Sequence, residues 1–357
     1  MINLTKVKEH TMKKLLTILL GLLCVICMSI GMVGCGNSDE KPTPTPTPTP
    51  TPPPAHTHIE QSSDFDATHH WKKCECGEIY EKVEHNWSSG RTYCSTCKVF
   101  VVFDAESFQA AIDYTMIFGA KIALANDVDL SKFNYEAPLI TDGNERKVEI
   151  DGRGFGIIGQ TSPIYQQTYN MTFNVKNLYF INANVQYTEG DFSNQLGLFS
   201  SEYLEEGRPC DYSFTNTHVV NATIKSANYC AGFIGYSAGG NIVVNNCSFS
   251  GSIEAGGSVG AVVGHTFGNV TVNGFEIKEE STIKCSEDRG TGARKAGAIF
   301  GTITYQSSST AFKPVATMQN VVNNGTVVNI NGVANADNSD LYGRNAAGEN
   351  ATVTIIK

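Results

Sequence analysis

The sequence predicts an all-β fold. It reads as a solenoid of stacked parallel strands behind one capping helix, preceded by a small module rich in cysteine and histidine. Three observations predict it: glycine-centred apolar pentapeptides recur in the second half of the chain, asparagines recur between them, and four cysteines and five of the eight histidines crowd into 56–98. Composition agrees. Only 17% of the 357 residues are charged and 34 are glycine, less charge than helix-rich α/β enzymes carry. Lys+Arg 26 against Asp+Glu 35 gives −9, which leaves no basic field to hold nucleic acid. A mean hydropathy of −0.16 excludes a protein of many membrane spans. Eleven cysteines, an odd number, cannot all be paired, so their positions matter more than their count.

At the N-terminus, Lys6, Lys8, Lys13 and Lys14 precede an apolar run at 15–33 that Gly21, Ser29 and Gly31 interrupt. A basic start, a short apolar stretch and small residues at its end read as a secretion signal, of more usual length if translation begins at Met12. Met32-Val33-Gly34-Cys35 resembles a bacterial lipobox, with Met32 where Leu is usual. The resemblance implies a lipoprotein signal peptide over 1–34, cleavage before Cys35 and lipidation of that thiol. An ordinary signal with an incidental cysteine is the alternative. Beyond position 34 there are 22 basic and 34 acidic residues, so the mature chain carries −12. The expected location is the outer side of a cell membrane, through the lipid anchor. Residues 41–54 read KPTPTPTPTPTPPP. Alternating proline holds the backbone in polyproline II, and the thirteen residues from 42 to 54 span roughly 40 Å at about 3.1 Å each. Residues 35–55 are therefore expected to be a lipidated linker that lifts the rest away from the membrane.

Residues 56–98 are expected to form a metal-binding module. His70 precedes Cys74-Glu75-Cys76-Gly77, His85 follows, and Cys94 and Cys97 close the series. Two close cysteine pairs suit a tetrahedral thiolate site, and about forty residues cannot bury enough core to fold unaided. Because the first pair is C-x-C and not C-x2-C, His70 or His85 could replace Cys74 or Cys76 as a ligand. The candidate ligands are thus Cys74, Cys76, Cys94, Cys97, His70 and His85, and the expected ion is a structural Zn2+. Two disulfides are the alternative that export permits. The ordered residues resemble the H-x-W…C-x-C-G-E…H-x-W…C-x-x-C modules of surface proteins from clostridia-like bacteria.

From Val99 the texture changes. Asp104 can cap a helix on which Phe108, Ala111, Ile112, Thr115 and Met116 share a face. Strands are expected at 120–125, with Ile122 and Leu124 on one side, and at 148–151 and 157–159 between glycine turns. The pentapeptides LGLFS (196–200), AGFIG (231–235), GAVVG (260–264) and GAIFG (297–301) align, their last residues 35, 29 and 37 apart. Between them, elements begin at Asn177, Asn216, Asn246, Asn273 and Asn320. Repeats of this length without a helix of their own indicate stacked strand coils. Asparagine tolerates the left-handed conformation of turns and can stack into ladders between coils, which also accounts for the N-x-S/T tripeptides at Asn221 and Asn269. Cys247 alternates with Phe249 and should point inward, Cys210 and Cys230 are candidates to bridge coils or remain reduced, and 352–356 reads as a last strand.

Residues 231–264 resemble the GLUG repeats of bacterial surface adhesins, and Val148-Glu-Ile-Asp-Gly-Arg-Gly154 resembles the first coil of a pectin-lyase-like β-helix. These resemblances imply a right-handed parallel β-helix over 99–357 and an adhesin-like function. The expectation is a non-catalytic surface lipoprotein that binds a glycan or a host or cell-surface protein through the solenoid flank, with Tyr165, Tyr169 and Tyr179 as candidate contacts. Those tyrosines equally suit turn packing. A polysaccharide-degrading enzyme is the alternative, yet the acids between 225 and 326 form no strand-borne pair, and His265 is followed by Thr266, where the hydrolase pattern has glycine. Arg289, Arg294 and Lys295, near Glu287 and Asp288, are the nearest candidate lyase cluster. A passive spacer is the third reading.

Overall fold

The computed structural model describes residues 60–88, 92–187, 195–202, 209–286, 296–305, 313–329 and 340–356. The signal, Cys35, the Thr-Pro linker and the 287–295 cluster lie outside them. The fold is all-β, with large parallel sheets. The described residues all belong to one compact unit. No helix among the described residues is long and apolar enough to cross a membrane.

The first described residues form an antiparallel sheet of β1 (Glu60–Phe65), β2 (His69–Cys74) and β3 (Ile79–Glu84). Next, β4 (Trp87–Ser88) and β5 (Tyr93–Cys94) form a small antiparallel pair. β5 pairs antiparallel with β6 (Val99–Val102), and β6 starts the parallel sheet by pairing with β7 (Ala120–Leu124). The chain thus runs from this pair into the parallel sheet.

Between β6 and β7 lies α1 (Ala105–Thr115). Asp104 Oδ1 accepts from the Ser107 amide at 2.8 Å while Ser107 Oγ accepts from the Asp104 amide at 3.0 Å, a reciprocal cap. Phe108, Ala111, Ile112 and Thr115 are buried as the periodicity predicts. Met116 is exposed because it is the C-cap, where the chain leaves the helix.

Beyond β7 the chain passes repeatedly along the same path, and each pass adds strands in parallel register to the one before. The main column runs from β7 through Arg146–Asp151, Met171–Lys176, Asp211–Thr215 and the starts of Asn241–Ala255, Asn269–Ile277 and Val315–Asn323, to Thr352–Ile356. Register places Ile122, Ile150, Val175, Phe214, Val244, Val272 and Met318 one above another, all buried. A second column stacks Val128, Ile157, Phe180, Val219, Phe249 and Ile277 in the same way. No pass can bury its apolar side alone, so stacking supplies the core.

Asparagine makes the bends between these columns. Asn177, Asn216, Asn246 and Asn320 all have φ near +50°, and Asn182 and Asn221 repeat this at the next bend. Their amides also bond from pass to pass: Asn216 Nδ2 donates to Asn177 Oδ1 at 3.2 Å, and Asn246 Nδ2 to Asn216 Oδ1 at 2.5 Å. In one pass Gly274, not Asn273, takes the left-handed position, while Asn273 Oδ1 accepts from Asn320 Nδ2 at 3.0 Å.

The glycine pentapeptides have a steric cause. Gly197, Ala231, Gly260 and Gly297 lie level in a third column, which turns back tightly into a fourth containing Ile234–Ser237, Val263–Thr266, Phe300–Ile303 and Tyr342–Asn345. A Cβ on Gly197 would stand 2.5 Å from the Gly235 nitrogen, and one on Gly260 2.5 Å from the Ile299 oxygen. Only glycine lets these backbones approach so closely. The register also corrects the first alignment by one residue, since Gly197 and not Leu196 is level with Ala231.

Cys210, Cys230, Cys247 and Cys285 are buried and not joined in disulfides.

Candidate functional site

β2 carries His70, the residue after β3 is His85, β5 ends on Cys94, and the turn after it holds Cys97. That turn closes through the Lys98 amide on the Cys94 carbonyl (2.9 Å), with Lys98 at φ 59°. Its geometry points the Cys97 amide at the Cys94 sulfur (3.4 Å). One ligand atom from each of His70, His85, Cys94 and Cys97 lies within 4.8 Å of the others, and this group can hold a metal ion. Cys94 Sγ stands 3.9 Å from His70 Nδ1, and Cys97 Sγ 3.6 Å from His85 Nδ1.

The surroundings suit that role. His85 Nε2 is 2.9 Å from the Asp66 carbonyl oxygen, which can only accept, so the ring proton sits on Nε2 and Nδ1 offers its lone pair inward. Asp66 is held in place by its own carboxylate, which accepts from the Thr68 amide (2.8 Å) and the His69 amide (2.6 Å). Burial works against its charge, but these bonds prevail and hold the carboxyl well below its usual range. Burial, then the charges of His85 and His69, lower the His70 pKa and favour the neutral ring that a metal requires. Burial raises the Cys94 thiol, yet hydrogen bonds from Cys97, His85 and Thr96 bring it down to about 6. Burial and the neighbouring Cys94 push Cys97 up to about 12. His85 and Cys94 are buried, and the Trp87 ring lies 4.5 Å from that of His85. His70 and Cys97 face a cavity of about 670 Å³ with Phe65, Trp71 and Val99.

Four of the six predicted ligands come together, and Cys74 and Cys76 do not join them. The reason is local. Cys74-Glu75-Cys76-Gly77 is a turn, closed by the Gly77 amide on the Cys74 carbonyl (2.8 Å) and opened by positive φ at Gly77. The C-x-C pair lies at the β2–β3 hairpin tip, and the group that could hold a metal ion includes both histidines. Asp66 was missed because it acts through its main-chain oxygen. The turn pattern Asp66-Ala67-Thr68 is the only trace of it in the sequence.

The three tyrosines separate. Tyr165 and Tyr169 are core residues and cannot meet a ligand: Tyr165 is fully buried, its hydroxyl 3.1 Å from Thr115 Oγ1 beneath α1, and Tyr169 is 7% exposed. Tyr179 is on the outside. Register places Tyr179, His218, Ser248, Glu276 and Val322 in one outward row. The Tyr179 and His218 rings are 5.0 Å apart, His218 Nδ1 is 2.9 Å from Ser248 Oγ, and Lys278 pairs with Glu276 at 2.5 Å. Burial, then the Lys278 charge, keep the His218 pKa low. With Asn246 and Asn320 these residues line an open groove of about 490 Å³.

A second cleft, of about 500 Å³, lies between β1 and the outer face of the main column. Glu149 and Asp151 project into it at alternate positions of one strand, a period-two signal overlooked in the sequence. Each is ion-paired: Glu149 with Lys147 at 2.9 Å, Asp151 with Lys176 at 3.2 Å. Arg153 joins Asp64 at 2.6 Å. The Lys147 bond, against some burial, lowers the Glu149 pKa, the wrong direction for a general acid.

No family model matches the chain, and no curated protein does. Among solved structures it is similar to one titled "putative immunoglobulin A1 protease from Bacteroides ovatus", at 13% identity and a TM-score of 0.48 over 73% of this chain and 75% of that one. A likeness of that size carries no argument about activity.

Proposed function

We propose that the protein is a non-catalytic, adhesin-like surface lipoprotein that binds a glycan or a cell-surface protein through the groove around Tyr179. In this reading Cys35 carries the lipid, the Thr-Pro segment is a stalk, and the stacked passes close as a right-handed parallel β-helix with GLUG-type turns. Right-handed crossovers between parallel strands are the strong rule that supports the handedness. The observation that carries the binding reading is the outward Tyr179–His218 ring pair, flanked by amides, a hydroxyl and an ion pair. An aromatic platform ringed by hydrogen-bonding groups suits the apolar face and hydroxyls of a sugar. The ion held by His70, His85, Cys94 and Cys97 is zinc in a structural role, because two thiolates and two imidazoles are a zinc donor set with no open position.

The test is retention of the full mature chain on glycan arrays and on cell-surface extracts. Specific retention lost in Tyr179→Ala supports the proposal. Retention on neither contradicts it and favours a passive spacer. The paired carboxylates of the β1 cleft are the observation that an enzyme reading would use, and reproducible depolymerisation of a polysaccharide, lost in Glu149→Gln, would establish that reading instead.

A further inference from the structure

The bends that lead into the Tyr179 groove form a column of asparagines with one interruption. Register sets Asn177, Asn216, Asn246, Gly274 and Asn320 level with one another, each with φ in the left-handed region. The amides point one way: Asn216 Nδ2 donates to Asn177 Oδ1, and Asn246 Nδ2 to Asn216 Oδ1. Asparagines that begin the same strands keep this polarity, with Asn269 Nδ2 donating to Asn241 Oδ1 at 3.0 Å. At Gly274 the column has no side chain, and among the described residues none donates to Asn246 Oδ1. On the next pass Asn320 Nδ2 gives one hydrogen to Asn273 Oδ1 and has a second to offer. Sterics do not require the interruption. A Cβ on Gly274 would meet nothing nearer than the Asn246 backbone at 3.5 Å, and asparagine adopts the same conformation on the passes either side. Asn246 and Asn320 stand two passes apart, about 10 Å, a span that one stacked amide bridges elsewhere in the column. Gly274 and both of these asparagines line the groove that Tyr179 and His218 also line.

We propose that the gap at Gly274 is a subsite for the acetamido group of an N-acetylated amino sugar. This subsite rests on the glycan reading of the groove and gives that glycan its class. A secondary amide carries the chemistry of the asparagine it replaces. Its N–H donates to Asn246 Oδ1 and its carbonyl accepts from Asn320 Nδ2, in the polarity that the column sets. In a trans amide those two groups point in opposite directions, as bridging two passes requires. The methyl group then faces Gly274, where a side chain would exclude it. A hydroxyl in the same place is too short to reach both asparagines. His218 lies two passes from Gly274, about 10 Å, and Tyr179 one pass further, so the ring platform takes later sugars of the same chain and the ligand is an oligomer. A single gap favours a sugar over an extended peptide, whose amides recur at every residue and each need a partner.

The test is calorimetric titration of the full mature chain with chitotetraose, the tetramer of N-acetylglucosamine, and with cellotetraose, the glucose tetramer of the same linkage. The two differ only in the acetamido group, which a hydroxyl replaces in the second. Chitotetraose is expected to bind about tenfold more tightly, the contribution of two hydrogen bonds. Gly274→Asn completes the column and should abolish that preference without lowering the melting temperature. Asn320→Asp removes the donor but keeps a residue that tolerates the bend, and it should also reduce the preference. It decides the matter if Gly274→Asn melts early. Equal binding of the two tetramers, or a preference that survives the substitutions, overturns the subsite and leaves the glycan reading of the groove standing. Binding of neither tetramer also overturns it, and retention of other glycans that still depends on Tyr179 would keep the groove reading. Retention of an extended peptide instead, lost in Gly274→Asn, would assign the gap to a peptide amide and overturn the sugar class.

Discussion

The module before Val99 and the parallel stack after it keep their shapes by different means. Among the described side chains at 62–98, the buried apolar ones are both cysteines, Cys74 and Cys94, while Ile79 and Val83 are each 50% exposed. The stack buries whole ladders of Ile, Val and Phe, and packs Phe173 on Tyr212 with centroids 5.4 Å apart. One region has a core that tolerates small losses. The other buries few apolar side chains beside its small antiparallel sheet and a group of four donor atoms that could hold a metal ion. The two are nonetheless joined, because the hairpin carrying Cys94 and Cys97 continues into β6.

The largest effect should come from breaking the donor group. Metal binding to such sites is worth on the order of 10 kcal/mol of folding free energy in small zinc modules, so chelation or Cys94→Ser should unfold the module outright. Both tryptophans, Trp71 and Trp87, lie in the module, so their fluorescence should shift fully while the strand circular dichroism of the stack persists. Loss of both signals together would show that the stack also depends on the metal.

Next is the core ladder. Phe214→Ala removes a fully buried ring and should cost the stack about 3–5 kcal/mol in a denaturant titration, with metal content unchanged.

A pH effect should follow from Glu202, which is buried with Oε2 accepting from the Ala238 amide (3.0 Å) and the Cys210 amide (3.3 Å). Burial, against those bonds and one from Ser237, raises its pKa from 4.5 to about 8. Between those values the folded chain holds a proton that the unfolded chain has lost. Stability should therefore fall as pH rises through that window, by at most about 1.4 kcal/mol per unit, and level off above it. Glu202→Gln should flatten the dependence, and an unchanged pH profile would show that the carboxyl is ionised when folded.

The smallest effect is at the bends. Asn246→Ala leaves alanine, which lacks asparagine's local side-chain bonding, in the left-handed region and removes one amide bond, costing about 1–2 kcal/mol by thermal melting.

These regions also differed in how far they could be read from sequence. The stack was legible because a repeated pass repeats its chemistry: Asn216 and Asn246 announce bends, the glycine pentapeptides a close backbone approach, and Asp104 a helix start. What failed there was direction. Tyr165 and Tyr169 follow no strand alternation, so nothing local showed that α1 would cover one and the interior take the other. In the module, the residue types were legible but the choice among them was not. Six donors satisfied the expected chemistry, and the hairpin turn at Gly77, which withdraws Cys74 and Cys76, is a matter of backbone closure. Asp66 contributes a carbonyl oxygen, which every residue has.

The most direct test is X-ray absorption at the zinc edge of the zinc-loaded full chain. Two sulfurs at about 2.3 Å and two nitrogens at about 2.0 Å are predicted, from Cys94, Cys97, His70 and His85. A shell of four sulfurs would place Cys74 and Cys76 on the metal and contradict the account.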